Sequence, residues 1–389
     1  MSILGSPADD FQPLAGCRVI EHSRSAAAAY AGRLLATMGA EVIMLEPPAG
    51  SPLRAAAPLL DQGSGDSALF AYLSVGKRSL VCELDNSEQQ QRFRALLSTA
   101  DILIDDTPVA ERAALGLNPE SIRELEPQLV HVSVLPFGAC GPKQDWTAEE
   151  INLIHASGEG YLLPNGFSQQ LFPERPPLKI YGQFANYQGG LAAAMSALSA
   201  LWVVPQAGGQ YVDVSVQDAT LLCSAFALQR LGDGSLEHRA TRSFRYGGVF
   251  EARDGYIQLL TLEDRQWQGL TTLLGNPEWS QDDAFKDPLE RSRRGDEINA
   301  HIREWMAQHN AQSIVSRAQE LGVPAAKYST PEEILHGEHE RSRGLFATST
   351  LADGREAPLL LAPFQFRKTP LSFSGGVPKL GESVLEEYL

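Results

Sequence analysis

The stretch Cys17-Arg-Val-Ile-Glu-His22 has the apolar and β-branched residues of a short strand and is bounded by turn-forming residues. Helix-forming residues follow from Ala26 to Met38, and a second apolar run, Glu41-Val-Ile-Met-Leu45, begins soon after them. Gly39 stands where a helix would end in a left-handed cap. A strand, a helix and a strand at this spacing predict a parallel βαβ unit.

The same alternation continues after the first unit. The run Ser79-Leu-Val-Cys-Glu-Leu84 is a predicted strand, and Asn86 or Ser87 can cap the helix that follows it. Two more predicted strands are Ala100-Asp-Ile-Leu-Ile104 and the segment from Leu129 to Leu135. Strands separated by helices predict an α/β fold with a mostly parallel, Rossmann-like sheet.

The second half of the chain changes character. A helix of small residues is predicted from Gln188 to Trp202, a strand at Tyr211-Val-Asp-Val-Ser215 and a helix from Asp218 to Gln229, after which the sequence becomes more polar. We therefore predict a domain boundary near residues 220–235, with the C-terminal stretch packing back onto the first domain. The predicted division is a large Rossmann-like domain of residues 1–220 plus 335–389 and a small α+β domain of residues 225–330.

Composition limits the possible partners. The 389 residues are 43% hydrophobic, and 32 basic against 48 acidic residues give a net charge of -16, which repels nucleic acid and anionic lipid. We expect neither nucleic acid nor a membrane as a partner, and no segment approaching a membrane span. The N-terminal residues lack the parts of a signal peptide. Four cysteines without CxxC spacing are typical of reduced thiols, so we predict a cytoplasmic location.

Several common kinds of site are missing from the sequence. No GxxxxGK[ST], GxSxG, HExxH or spaced Cys/His set is present, which removes the usual signals for nucleotide hydrolysis, serine hydrolysis and zinc chemistry. The first βα turn, Glu21-His-Ser-Arg-Ser-Ala26, also lacks GxGxxG. His155 is interpreted as a structural histidine, and His336 with His339 as surface residues. We predict no metal site.

A series of short motifs nevertheless follows a recognisable order. They are Pro13-Leu-Ala-Gly-Cys-Arg-Val-Ile20, Met38-Gly-Ala-Glu-Val-Ile43, Gly76-Lys-Arg-Ser79, Leu115-Gly-Leu117, Phe137-Gly-Ala-Cys-Gly-Pro142, Gly209-Gln-Tyr-Val-Asp-Val-Ser-Val-Gln-Asp218, Asp264-Arg-Gln-Trp267, Leu321-Gly-Val-Pro324 and Leu380-Gly-Glu382. Together these motifs resemble the family III CoA-transferases, which include carnitine CoA-transferase and bile-acid-inducible protein F. The resemblance spans nearly the whole chain.

The resemblance implies a fold and an activity. The family fold is a Rossmann-like large domain built from both chain ends, a smaller domain between them, and two interlocked subunits. The family activity transfers coenzyme A from an acyl-CoA to a carboxylic acid. An aspartate attacks the thioester and forms a mixed anhydride, then an enzyme thioester, which divides one acyl transfer into successive exchanges. Coenzyme A is thus the implied substrate, without a metal.

The implied nucleophile is absent. The family aspartate corresponds to Asn186 in the segment Gly182-Gln-Phe-Ala-Asn-Tyr-Gln-Gly-Gly190, and an amide is not a useful nucleophile toward a thioester. The nearest alternative acids are Glu149 and Glu150, which also lie in the segment where racemase relatives carry a His-Asp pair. Glu263 stands near the matching racemase glutamate.

The implied CoA contacts are altered as well. Their positions are occupied by Ser25, Ala26, Ala27, Lys77 and Asp106. Pro47 replaces a basic residue of the family, and Asp105-Asp-Thr-Pro108 replaces Glu-Asn-Phe-Arg. Because cations stabilise bound phosphates, we expect weakened CoA binding unless Lys77, Arg78, Arg54 or a partner subunit compensates.

Three hypotheses remain at this point. The chain is an acyl-CoA transferase with altered machinery, acting through Glu149, Glu150 or another acid, or as the aspartate-less subunit of a heteromer rather than a homodimer. Alternatively, it is a non-catalytic binding or scaffold protein that has lost CoA. The third hypothesis is a lyase, isomerase or hydrolase of CoA thioesters in which Asn186 donates hydrogen bonds to an oxyanion.

Overall fold

The computed structural model of the chain describes residues 12–61, 66–163, 172–223 and 246–389. These residues form two compact units. Of the described residues, unit 1 contains 12–61, 66–163, 177–223 and 338–389. Unit 2 contains 172–176 and 246–337. The sequence-based division did not place residues 172–176 with the second unit.

Both units mix strands and helices, which are numbered here in chain order. The strands of unit 1 are β1 Arg18–His22, β2 Glu41–Glu46, β3 Arg78–Val81, β4 Ile102–Asp105, β5 Val130–Leu135, β6 Tyr211–Ser215, β10 Phe346–Thr350 and β11 Glu356–Leu360. Its helices are α1 Ala26–Thr37, α2 Ala68–Ser74, α3 Ser87–Leu97, α4 Arg112–Leu115, α5 Pro119–Leu125, α6 Glu150–Ala156, α7 Phe184–Ala207, α8 Val216–Cys223 and α14 Glu338–Ser342. Unit 2 contains β7 Gly248–Ala252, β8 Gly255–Leu259, β9 Ala325–Lys327, α9 Asp264–Leu273, α10 Pro288–Arg293, α11 Gly295–Met306, α12 Ala311–Glu320 and α13 Pro331–Leu335.

The main sheet of unit 1 confirms the predicted α/β class. Its six strands run parallel in the order β3-β2-β1-β4-β5-β6. Helices α1 and α7 cover one face, and α3, α5 and C-terminal residues cover the other. The strand order reverses between β1 and β4, whose last residues His22 and Asp105 are register partners. In doubly wound sheets, ligands bind outside the carboxyl ends of the strands at this switch point.

Side-chain caps fix the starts of the helices around this sheet. The Ser25 side chain accepts the Ala28 N–H at the start of α1, and Asn86, one of the two predicted caps, accepts the N–H groups of Glu88 and Gln89 at α3. Each cap satisfies backbone donors that have no partner inside the helix. The predicted strand and helix positions in this region agree with the structure to within a few residues.

Helix α7 is the longest in the described residues, and it packs closely on α1. A Cβ atom at Gly190 would lie only 2.5 Å from the carbonyl oxygen of Ala27, so a glycine is needed at this crossing. Small residues on the same side of α7, including Ala193 and Ala197, are fully buried. The predicted helix from Gln188 to Trp202 therefore exists, but it extends further at both ends.

The opposite side of α7 is apolar and exposed. Leu191, Met195 and Trp202 are 51%, 65% and 83% exposed. Helix α7 is also long and apolar enough, by length and composition alone, to cross a membrane. The expectation that no segment approaches a membrane span is therefore wrong, although the buried small-residue side is what a core helix of a globular domain requires.

Unit 2 has a three-stranded antiparallel sheet in the order β7-β8-β9. Its core contains Trp267, Phe285 and Ile298. In unit 1, strands β10 and β11 pair antiparallel as a hairpin that the sequence analysis did not predict. The described part of the predicted helix Asp218 to Gln229 is α8, and residues 224–229 lie outside the described residues.

Candidate functional site

Asn186, the residue that the sequence analysis matched to the family aspartate, lies in the first turn of α7. Its amide nitrogen Nδ2 donates to Oε2 of Glu150 at 3.0 Å and to Oε1 of Gln183 at 2.7 Å. Both amide hydrogens therefore have partners inside the protein. The hypothesis that Asn186 donates to an oxyanion is not supported, because an oxyanion would have to displace one of these acceptors.

Glu150 is the first residue of α6, and its side chain is buried. Its carboxylate accepts the backbone N–H of Ala185 at 2.9 Å and that of Asn186 at 3.0 Å, besides the Asn186 amide. The carboxylate thus caps the N-terminus of α7, where a negative charge is stabilised by unpaired N–H groups. A carboxylate with three donors is held in place and is a poor nucleophile.

The two other predicted acids, Glu149 and Glu263, have other neighbours. Glu149 precedes α6 and is exposed, and its backbone N–H donates to Oδ1 of Asn152 at 2.9 Å. Glu263 lies in unit 2, where its carboxylate pairs with exposed Arg265 at 2.5 Å. Of the neighbours Glu149 and Glu150, it is Glu150 that accepts a hydrogen bond from the Asn186 amide.

Three tyrosines from three helices surround the start of α7, and the sequence analysis missed them. The ring of Tyr187 lies 4.5 Å from that of Tyr30 in α1 and 6.0 Å from that of Tyr72 in α2, between ring centroids. Burial raises the pKa of Tyr187 to about 12, and burial also raises the pKa of Tyr72. The hydroxyls of Tyr187 and Tyr72 are therefore neutral at physiological pH. No sequence motif joins them, because each comes from a different helix.

The predicted CoA-contact positions cluster at the switch point of the sheet. Ser25 caps α1, and Ala26 and Ala27 form its buried first turn. The Asp106 carboxylate, at the end of β4, accepts the backbone N–H of Arg24 at 2.8 Å and that of Ser25 at 2.6 Å. Burial raises the pKa of Asp106, and these donors oppose the rise. The structure thus brings four of the five predicted positions together.

Lys77, the fifth position, is not available as a cation for phosphate. Its Nζ atom lies 2.7 Å from Oε2 of Glu21 and 2.8 Å from the carbonyl oxygen of Ala29, and neither charged side chain is exposed. Burial lowers the pKa of Lys77 and raises that of Glu21. A Cβ atom at Gly32 would lie 1.7 Å from Glu21 Oε2, so α1 needs a glycine above this pair. In this arrangement Lys77 offers no exposed charge to a phosphate.

The other candidate cations, Arg54 and Arg78, do not replace Lys77 as a cation for phosphate. Arg54 makes two hydrogen bonds to the buried carboxylate of Glu46, each 2.7 Å long. Such a bidentate pair holds the guanidinium firmly. Arg78 is exposed at the start of β3, the edge strand of the sheet, and strands β2 and β1 lie between β3 and the switch point.

A buried polar cluster lies beneath the switch point. Asp105 Oδ2 is 3.5 Å from Nε2 of His131 and 3.8 Å from the Arg112 guanidinium, and Asp105 Oδ1 is 3.7 Å from Nδ1 of His22. Burial alone would raise the pKa of Asp105, but the interactions with His131 and His22 bring it well below its usual value. Within the described ranges, no group of His, Cys, Asp and Glu is arranged to hold a metal ion.

Comparison with known proteins identifies the family to which the chain belongs. The model of CoA-transferase family III matches residues 14–384. The chain belongs to this family, which confirms the membership predicted from the motifs. A solved structure, described as a CAIB/BAIF family protein from Brucella suis, superposes with a TM-score of 0.84 and 26% identity, over 95% of this chain and 97% of that one.

Individual relatives carry different names. The chain is 30% identical over 337 residues to "Probable CoA-transferase Rv1866" of Mycobacterium tuberculosis, a match over 83% of this chain but only 40% of that protein. It is 29% identical to the succinate–glutarate CoA-transferase of Agrobacterium fabrum, over 95% and 93% of the two chains. It is 26% identical to the β subunit of the succinyl-CoA–L-malate CoA-transferase of Chloroflexus aurantiacus, over 97% and 94%.

Proposed function

We propose that this chain takes part in CoA transfer from an acyl-CoA to a carboxylic acid as the subunit that lacks the nucleophile. A homologous subunit with an aspartate at the position of Asn186 would supply the carboxylate that carries CoA. The observation that carries the proposal is the amide of Asn186, whose two hydrogens are taken by Glu150 and Gln183. That amide is neither a nucleophile nor a free donor.

The state of the neighbouring acid supports the same proposal. If Glu150 were a substitute nucleophile, its carboxylate would have to be accessible to the carbonyl carbon of the thioester. Instead, it is buried and accepts three N–H groups at the start of α7. A lyase or isomerase role needs a free acid or base, and Glu150 does not offer one in this arrangement.

The exposed side of α7 supports assembly with another subunit. Leu191, Met195 and Trp202 lie on the side opposite the buried small residues and form a stripe along the helix. Exposed large apolar residues in a row are typical of an interaction surface. We propose that a homologous subunit covers this stripe, as one relative is named a β subunit. A homodimer is the alternative assembly.

We propose a cytoplasmic location from the state of the cysteines. Cys17, Cys82, Cys140 and Cys223 are all free thiols, which agrees with a reducing, cytoplasmic compartment.

The acyl group and the acceptor acid stay open, since the named relatives act on different acids. A scaffold role without CoA is the second candidate, and the occupied cations Lys77 and Arg54 favour it.

The test is reconstitution. The chain is purified alone and co-purified with an aspartate-bearing homologue encoded by the same organism, and each preparation receives succinyl-CoA and glutarate. We expect no transfer by the chain alone, transfer by the pair, and an enzyme-bound CoA thioester detected by intact mass on the homologue only. The control is the pair with that homologue's aspartate changed to asparagine.

Transfer by the chain alone would overturn the proposal, as would a thioester on this chain. Failure of the two chains to associate in native mass spectrometry would overturn the heteromer and leave the scaffold role.

A further inference from the structure

Unit 1 contains a cleft of about 300 Å³ whose lining is polar and rich in glycine. Three segments of the chain line it: the start of β3, residues at and after the end of β10, and the loop of residues 374–382. Asn186, Glu150 and Asp106 do not line it, and strands β2 and β1 separate β3 from the switch point of the sheet. The volume is that of a small-molecule site.

One wall of the cleft is held in place by its own hydrogen bonds. The Ser374 hydroxyl donates to the carbonyl oxygen of Gly76 at 3.1 Å, and the Gly76 N–H donates to the carbonyl oxygen of Gly376 at 3.0 Å. A Cβ atom at Gly376 would lie 2.6 Å from the carbonyl oxygen of Thr350, so the close approach of the two segments requires a glycine. The cleft is therefore formed before any ligand binds, which lowers the entropy cost of binding.

Two basic side chains of the cleft have no acid partner. Arg78 and Lys379 are exposed, and neither forms an ion pair with another described residue. Lys77 also lines the cleft, but its charge is buried against Glu21. The acid of the lining, Glu382, accepts the backbone N–H of Lys379 at 3.0 Å. The cleft thus combines two accessible cations with one acid, in a chain whose net charge is -16.

The glycines of the lining add hydrogen-bond donors. Because a glycine has no side chain, Gly375 and Gly376 line the cleft with backbone atoms. Their N–H groups donate to no acceptor among the residues that the structure describes. Free backbone N–H groups next to basic side chains are the donors with which proteins bind phosphate oxygens.

We propose that this cleft binds a small phosphomonoester, with Arg78 and Lys379 neutralising its charge and the N–H groups of Gly375 and Gly376 donating to its oxygens. The planar fork of an arginine matches two phosphate oxygens, and a lysine supplies a compact charge to a third. The cleft is larger than a phosphate group, which leaves room for the organic part of the ester. The inference goes beyond the proposed function, because the cleft is separate from Asn186 and from the switch point.

The test is calorimetry on the full chain with glycerol 3-phosphate as the probe. We expect one site per chain with a dissociation constant below about 1 mM. Arg78→Gln and Lys379→Gln should each weaken binding at least about tenfold, because each removes a charge-assisted hydrogen bond. Both side chains are exposed, so thermal melts should show that the variants fold as the wild type does.

The matched control is Lys368→Gln. Lys368 is an exposed lysine of the same unit that does not line the cleft, so this variant makes the same change in net charge as Lys379→Gln. We expect its affinity to stay within about twofold of wild type, because exposed charges are screened. A second comparison uses malonate, which carries the same charge on flat carboxylates and should bind at least about tenfold more weakly.

Four results would overturn the inference. They are the absence of saturable binding by the wild type, unchanged affinity in both cleft variants, an equal loss in the Lys368→Gln control, and equal affinity for malonate and glycerol 3-phosphate. None of them affects the reconstitution experiment, which depends on where the enzyme thioester forms. Transfer by the isolated chain would in turn remove the proposed function and leave the cleft as it is.

Discussion

Changing Asn186 to aspartate places a second carboxylate against Glu150, and the structure sets the size of the effect. The Asn186 amide nitrogen is 3.0 Å from Glu150 Oε2. Two charges at that distance repel by about 5 kcal/mol at an effective dielectric constant of about 20. Protonating an aspartate with an ordinary pKa of about 3.9 costs only about 4 kcal/mol at pH 7. We therefore expect the folded variant to bind a proton and lose about 4 kcal/mol of stability at pH 7.

The sign of the pH dependence follows from this proton. In the variant, the pKa of the introduced carboxyl is raised in the folded state above its value in the unfolded chain. The folded state then holds a proton that the unfolded state releases, so the free energy of unfolding falls as the pH rises above about 4. Near pH 4 the protonated acid can donate to Glu150 as the amide does, and the penalty shrinks to about 1 kcal/mol.

The assay is urea unfolding of wild type and variant at pH 4.5 and pH 7.5. Asn186→Ala is the control, because it removes the hydrogen bond to Glu150 without adding a charge. Its loss should be about 1.5–3 kcal/mol at both pH values. Adding Glu150→Gln to the aspartate variant removes the facing charge and should remove the pH dependence. A loss from Asn186→Asp that is the same at both pH values would refute the reasoning.

Other predictions concern the core around the site. Gly190→Ala should destabilise the fold by about 1–3 kcal/mol, because the added Cβ would meet a backbone carbonyl. Gly375→Ala is the control and should be nearly neutral, because there is open space around its Cβ. Thermal melts compare the two variants. Lys77→Met should cost about 3–5 kcal/mol by leaving Glu21 buried without a partner, and the double variant with Glu21→Leu should recover much of that loss in urea unfolding. The pKa of Asp105 lies below its usual value in the fold, so its stabilising contribution should be present above about pH 4 and disappear as the pH falls. Asp105→Asn should therefore reduce the loss of stability between neutral and acid pH. An unchanged loss would contradict the assignment.

The parallel sheet could be predicted because its signals are local. Strands buried on both faces are continuous apolar runs, as in Glu41–Glu46, and the turns between them carry recognisable caps such as Asn86. The hairpin at residues 346–360 could not be predicted in the same way. Its strands are half-exposed and end near prolines and glycines, so they lack the apolar run that marks the central strands.

The sequence could nominate site residues but not their bonding partners. Motif order nominated Asn186, Glu150 and Asp106, but the sequence does not show which groups a side chain will bond. Whether Lys77 faces a ligand or a buried Glu21 depends on two residues 56 positions apart meeting under α1. The tyrosine group was missed for the same reason, since long-range packing alone brings its members together.

Two positions that the motifs matched to the family site have internal partners in this chain. At the start of α7, the amide of Asn186 donates to a buried Glu150 that would repel a carboxylate in its place, and just before α1, the Asp106 carboxylate accepts the N–H groups of Arg24 and Ser25. Each arrangement satisfies its own hydrogen bonds, so neither needs a ligand to be stable. A chain with these groups paired can keep its fold without a bound substrate, which agrees with the proposed role as the subunit that lacks the nucleophile.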